Sequence, residues 1–140
     1  VSEGQILGQI AVAELREGNL AEANAHLVEA VGCYRETRHM EGMAFCLEIG
    51  AVVSFGEGRP RDAAVLLGAA DAIRERLNIA ILPVMRPERD GLVTALVDSL
   101  GADDHASAHA EGQRADPFAL LASAIEGTSG LSADPGRAAS

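Results

Sequence analysis

The sequence contains no Lys and no Trp, one Tyr and three Phe. Without Lys it cannot write the Gly-x-x-x-x-Gly-Lys-Ser/Thr phosphate loop, which excludes that kind of nucleotide site. All 11 basic residues are therefore Arg, scattered among 21 acidic ones, and the formal net charge is -10. Such a field repels phosphate backbones. No compact basic cluster and no helix-turn-helix with a basic recognition helix opposes it, so direct nucleic-acid contact is not expected. Two cysteines, Cys33 and Cys46, are too few for a disulfide framework. Both lie in apolar helical pattern and read as buried thiols. No run approaches about eighteen continuous apolar residues, so no membrane span is expected. No signal-peptide pattern is readable, and Val1 already lies in helical pattern; the expectation is a cytoplasmic piece of a longer protein.

What the chain does have is small aliphatic bulk: hydrophobic residues make up 48 % of it, nearly all Ala, Leu, Val and Ile. Ala and Leu favour helix, and small side chains let helices approach closely. One phrase occurs twice at a spacing of forty positions: Gly18-Asn19-Leu20-Ala21-Glu22-Ala23 returns as Gly58-Arg59-Pro60-Arg61-Asp62-Ala63. Its apolar frame returns with it, Leu7, Ala11, Leu27 and Ala30 mapping onto Leu47, Ala51, Leu67 and Ala70. A helical pattern repeated at this period predicts an all-α fold of stacked antiparallel hairpins, an architecture that usually binds partners.

The spacing predicts one hairpin over about 3–38 and a second over about 41–78. The first helix is expected to bury Leu7, Ile10, Ala11 and Leu15. The second buries Leu20, Ala23, Leu27, Ala30, Val31 and Tyr34, the third Ala44, Leu47, Ala51 and Phe55, and the fourth Ala63, Leu67, Ala70, Ile73 and Leu77. Gly42, Gly50 and Gly68 inside helical pattern each cost about 1 kcal/mol relative to Ala, which close helix crossings would offset. Residues 79–87 read as an extended connection. Capping helices are expected over about 87–126: one ending at Leu100 before Gly101, one opened by Asp103 or Asp104, and one opened by Asp116-Pro117 that turns Phe118, Leu121, Ala122 and Ile125 inward. Positions 1–126 form the folded domain in this reading. Positions 127–140, rich in Gly, Ser, Ala, Pro and Asp, read as a flexible tail or linker.

The small residues Ala11, Gly18, Ala23 and Ala30, matched by Ala51, Gly58, Ala63 and Ala70, resemble the tetratricopeptide pattern, with a period of forty in place of the usual thirty-four. The run Ala64 to Asp71, then Ile73-Arg74-Glu75 and Pro83, and the phrase Ala108-His109-Ala110-Glu111-Gly112 resemble the C-terminal helical region of large actinobacterial signal-transduction ATPases and LuxR-type transcription regulators. Some members carry an adenylate-cyclase-like domain instead. The resemblance covers about residues 5–126. It implies a right-handed α-solenoid end with capping helices, in a regulator whose repeats sense a ligand or partner and restrain an ATPase or output domain. The family usually places Trp and Phe where this chain has His109 and His105, which implies weaker anchoring of that helix.

Candidate chemistry is sparse. His105 and His109, four apart, would share a helix face near Asp103, Asp104 and Glu111. They are the one candidate for a metal pair, although Ala106 stands where a zincin motif needs Glu. Partly exposed histidines are the plainer reading. His26 reads as a surface residue, and His39 lies at the junction of the hairpins. Cys33 or Cys46 could pair with His26 or His39 only on paper, with no surrounding phrase of a reactive thiol. No catalytic residue and no cofactor is expected. Arg35, Arg38, Arg59, Arg61, Arg74 and Arg76 are candidates for clamping acidic segments of a protein partner, another domain of the parent chain or a second copy. Ordinary solvated surface is the alternative for each. A small-molecule inducer site between helices is the second functional reading, and would require a pocket of several hundred cubic ångströms lined by apolar residues and a few Arg.

Overall fold

A computed structural model describes residues 2–124. The predicted tail at 127–140 and the inward placement of Ile125 lie outside the described residues. Within them the chain is all-helical, with seven helices and no strand: α1 (Glu3–Arg16), α2 (Leu20–Thr37), α3 (Met40–Gly56), α4 (Pro60–Leu77), α5 (Arg86–Leu100), α6 (Ala102–Arg114) and α7 (117–124).

The repeated phrase is a repeated piece of backbone. Gly18 and Gly58 hold φ of 80° and 82°, the left-handed conformation that costs Gly least. The amide of Asn19 reaches the Glu14 carbonyl, and that of Arg59 reaches the Ser54 carbonyl, both at 2.9 Å. These are the six-to-one bonds of a Schellman helix end. The equivalence runs on beyond the phrase. Arg38 and Asn78 end α2 and α4 with φ of 53° and 55°, and the amides of His39 and Ile79 bond the carbonyls of Tyr34 and Arg74 at 3.0 and 2.9 Å. Three-residue turns fold α1 against α2 and α3 against α4 as two antiparallel hairpins. Pro60 occupies the first turn of α4, where its missing N–H loses no helical bond.

α3 is the centre of the core. It is apolar on every side, and residues 42–51 are buried without a break, because α1, α2, α4 and α5 all pack on it. Phe45, Leu47 and Ile49 are almost wholly covered. α4 is buried continuously over 63–70, between α3 and α6. α6 has little apolar bulk and packs by removing atoms. A Cβ on Gly112 would collide with the Val65 carbonyl, and one on Gly68 with the His109 carbonyl. Backbone lies directly on backbone at this crossing, with Ala108 buried beside it.

Several sequence expectations are corrected. Ile10 is 40 % exposed and Leu77 44 % exposed, while Gly4, Gly8, Val12 and Glu14 join Ala11 on the buried face of α1. α1 turns this small-residue face inward because the ring of Phe45 lies on Gly8 and that of Tyr34 on Gly4. Leu7, Leu15, Leu20 and Phe55 are half-buried. Gly42 serves as a seat for the Tyr34 ring, which a Cβ there would strike. Gly50 permits only ordinary contact, with neighbours no closer than 3.6 Å. The connection after α4 has no regular structure through Leu82, then turns at 83–85, placing Met85 fully in the core. α6 starts directly after Gly101, ahead of Asp103 and Asp104. Asp116 does cap α7, accepting from the Phe118 amide at 3.0 Å.

Candidate functional site

Two pieces of local structure carry the polar chemistry: a buried charge cluster joining α3 to α6, and a groove beside α3. The cluster starts from one charged residue inside the apolar run of α3. Glu48 is 1 % exposed and Arg74 of α4 is 7 % exposed. Arg74 donates from Nε to Glu48 Oε2 at 2.6 Å, from Nη2 to Oε1 at 2.9 Å and from Nη1 to the Ala80 carbonyl at 2.9 Å. Burial pushes the Glu48 carboxyl above the usual range, and the guanidinium pulls it back only in part. One turn before Arg74, Asp71 accepts from Arg89 Nη2 of α5 at 2.7 Å and from His109 Nε2 of α6 at 2.8 Å. Burial acts to raise the Asp71 carboxyl, but the two donors outweigh it and hold it below the ordinary value. Asp71 thus ties α4, α5 and α6 together through one carboxylate.

The predicted histidine pair is divided by this arrangement. The rings of His105 and His109 lie 6.1 Å apart, but His109 turns to Asp71 and away from any joint metal. His105 Nδ1 is buried without a hydrogen-bond partner. Burial first, then the charges of His109 and Arg89, lower its pKa. Among the described residues no three His, Cys, Asp or Glu side chains converge as a metal site. Glu111, grouped with these histidines by sequence proximity, instead accepts from Arg61 Nη2 at 3.2 Å. α6 is held by the close backbone crossing at Gly68 and Gly112 and by the Asp71–His109 bond.

The imidazoles and thiols proposed as nominal pairs are engaged separately. His26 is no free surface residue: its Nδ1 donates to Glu14 Oε1 at 2.6 Å. His39 Nδ1 accepts from the Gly42 amide at 2.9 Å and so caps α3. Cys46 is buried and Cys33 half-buried. Burial pushes both thiols up, Cys46 strongly, which opposes nucleophilic use.

The six candidate arginines do not share one surface. Arg74 is interior, so it is withdrawn as a partner clamp; its burial follows from Glu48, which sequence spacing did not connect to it. Arg59 lies at the start of α4, bonded to Glu57 and Asp62, with Arg61 beside it. Arg76 is exposed near the other end of α4, roughly 25 Å away at 1.5 Å per residue. Arg35 and Arg38 are exposed at the end of α2, and the Arg38 guanidinium lies 4.5 Å from the centre of the Phe118 ring, a cation–π distance.

Two of the clefts among the described residues have volumes of several hundred cubic ångströms. One of about 350 Å³ lies at the junction of α1, α2 and α3, lined by Gln5, Tyr34, His39, Glu41, Phe45 and Leu82 among others. The other, about 290 Å³, separates α4 from α7, with Asp62, Val65, Leu66, Leu120 and Ser123 on its walls. The first has no Arg on its walls and the second has Arg59 alone, where the inducer reading asked for a few.

No family model, no curated protein and no solved structure matches this chain. Asp71, Glu48 and Arg89 were missed as a group by sequence reasoning. A signal existed for Glu48, the lone charge between Ala44 and Ala51. None existed for Arg89, because only the packing of α5 brings it to Asp71.

Proposed function

We propose that the chain is a non-catalytic, tetratricopeptide-like interaction module of a LuxR-type regulator or signal-transduction ATPase, making protein–protein or intramolecular contacts. The observation that carries this reading is the backbone repeat. Helix ends, left-handed residues and turn hydrogen bonds recur at a spacing of forty positions through both hairpins. A fold that repeats its turns builds extended helix surfaces and grooves, which suit recognition. Of the proposed arginines, Arg35, Arg38, Arg61 and Arg76 remain exposed at the two ends of the hairpins, where acidic segments could reach them. The test is to mix the chain with the separately produced nucleotide-binding and DNA-binding portions of its parent and measure association by calorimetry and ATPase rate. Complex formation with a changed rate is expected. Absence of both overturns the reading. An adenylate-cyclase-like parent would give the same association with cyclase activity as the readout.

The second reading, inducer sensing, draws on the cleft at Tyr34. It offers an aromatic ring, the Glu41 carboxylate and the Gln5 amide, a set suited to a small cationic amine. A thermal shift with an amine from a metabolite panel, lost in Glu41→Gln, would support it. A flat response across the panel removes it.

A further inference from the structure

We propose that the outward face of the first hairpin, where Ile6 and Ile10 of α1 lie beside a row of carboxylates on α2, binds a basic amphipathic helix of a protein partner. This rests on the interaction-module reading above and names one surface and the partner it fits.

The internal repeat marks this face as one that carries helices. At a spacing of forty positions, Ile6, Ile10 and Ala13 correspond to Cys46, Gly50 and Val53 of α3. All three α3 positions are buried. The neighbours of Gly50 are Leu66 of α4, within its own hairpin, and Leu27 of α2 and Leu121 of α7, from outside it. The same face of α1 is bare. Ile6 is 49 % exposed and Ile10 40 % exposed, and Ala13 is exposed as well. The two isoleucines stand one helical turn apart, the spacing at which a facing helix can seat side chains of its own.

Charge defines the partner. Glu3 and Glu17 bound the α1 stripe, and Glu22, Glu29 and Glu36 recur every seven residues of α2, close to two helical turns, so they share one face. That face adjoins α1. His26, one turn from both Glu22 and Glu29, bonds Glu14 of α1. Burial first, then the charges of Glu3, Glu36 and Glu29, push up the Cys33 thiol, which places carboxylates of both helices along one seam. All five are exposed, and none forms an ion pair among the described residues. The three Arg of this hairpin do not balance them. Arg16 turns to Glu88 and Arg38 to the Phe118 ring, leaving Arg35 against five carboxylates. A second copy fits poorly, because pairing these faces would set carboxylate against carboxylate. A helix with apolar residues at i and i+4, flanked by Arg or Lys, matches both the isoleucines and the acidic row.

The test uses the full chain and fluorescence polarisation. The probe is a fluorescein-labelled peptide of about eighteen residues, long enough to be helical, with Leu on one face and Arg on the rest. A control peptide carries Gln in place of every Arg. The Arg peptide should bind, and raising salt from about 0.05 M to about 0.5 M should weaken it roughly tenfold. Ile6→Ser together with Ile10→Ser should weaken binding about tenfold. Glu22→Gln, Glu29→Gln and Glu36→Gln together should weaken it as much and flatten its salt dependence. Asp98→Asn, Asp103→Asn and Asp104→Asn together remove the same charge from exposed positions of α5 and α6, and should leave binding unchanged. Ile6→Ser alone serves if the double variant fails to melt cooperatively. No binding, equal binding of the Gln peptide, or an equal loss in the Asp variant overturns the proposal. So does a concentration-dependent dimer of the unaltered chain that Ile6→Ser dissolves, since the occupant is then a second copy. Any of these results leaves the association with the parent's other portions standing or falling on its own measurement.

Discussion

Replacing Glu48 with Leu leaves the Arg74 guanidinium in the core with the Ala80 carbonyl as its remaining hydrogen-bond acceptor. A buried charge stripped of its partner costs about 3–5 kcal/mol, so Glu48→Leu should lower the urea midpoint severely. Pairing it with Arg74→Leu should recover most of the loss, because the cost lies in the stranded charge. A double variant as unstable as the single one would show that the ion pair itself is needed. His26 offers a prediction of opposite character. The hydrogen bond to Glu14 raises its pKa above the unfolded value. Its contribution is therefore complete below about pH 6.5 and disappears as pH rises through the folded-state value. Between about pH 5.5 and 8.5, the unaltered protein should lose more stability than His26→Gln, as read from urea midpoints; equal losses would dismiss the pair. At this scale the sequence was legible where a residue acts within its own turn, through its backbone at Gly18 and Gly58 and through its side chain on the Phe118 amide at Asp116. It was not legible where a residue acts through a partner: Arg74 read as a clamp or ordinary surface, and His109 as a partly exposed histidine or a weak metal candidate, because Glu48 and Asp71 stand 26 and 38 positions away.

Among the helices, α6 depends on contact distance more than on apolar area. Gly112→Ala or Gly68→Ala would force backbone from backbone at the α4–α6 crossing, a cost of about 3 kcal/mol or more, visible as a fall in melting temperature. Gly32 and Gly91 are helical as well, but a Cβ on either meets nothing within 4 Å. Gly32→Ala and Gly91→Ala should each gain about 0.5–1 kcal/mol by restricting the unfolded chain. If all four substitutions behaved alike, the proposed crossing would be wrong. Helix existence and order were readable from periodicity and from Gly and Pro punctuation. Which face of α1 turns inward was not. Ile10 looked like part of its core, yet it points outward, because the rings of Tyr34 and Phe45 settle on the glycines of the opposite face.

For the whole molecule, α3 decides cooperativity. It touches both helices of the first hairpin, its own partner α4, and α5, so neither hairpin can open without exposing it. Tyr34 is the only Tyr and there is no Trp, which makes its fluorescence a clean report on the junction of the hairpins. Urea unfolding followed by Tyr34 fluorescence and by circular dichroism should give coincident curves. An earlier Tyr34 transition would mean that the first hairpin unfolds separately. The sequence by itself determined the all-helical class, the forty-position period and the left-handed glycine turns, since these follow from local backbone preference and from apolar spacing within one helix. Tertiary structure alone decided the burial of Arg74, the Asp71 junction of three helices, the glycine contact of α4 with α6 and the seat of α7 above Gly50. Each of these depends on the distance between helices remote in the chain, and that distance is set by how side chains of unequal size fill one shared core.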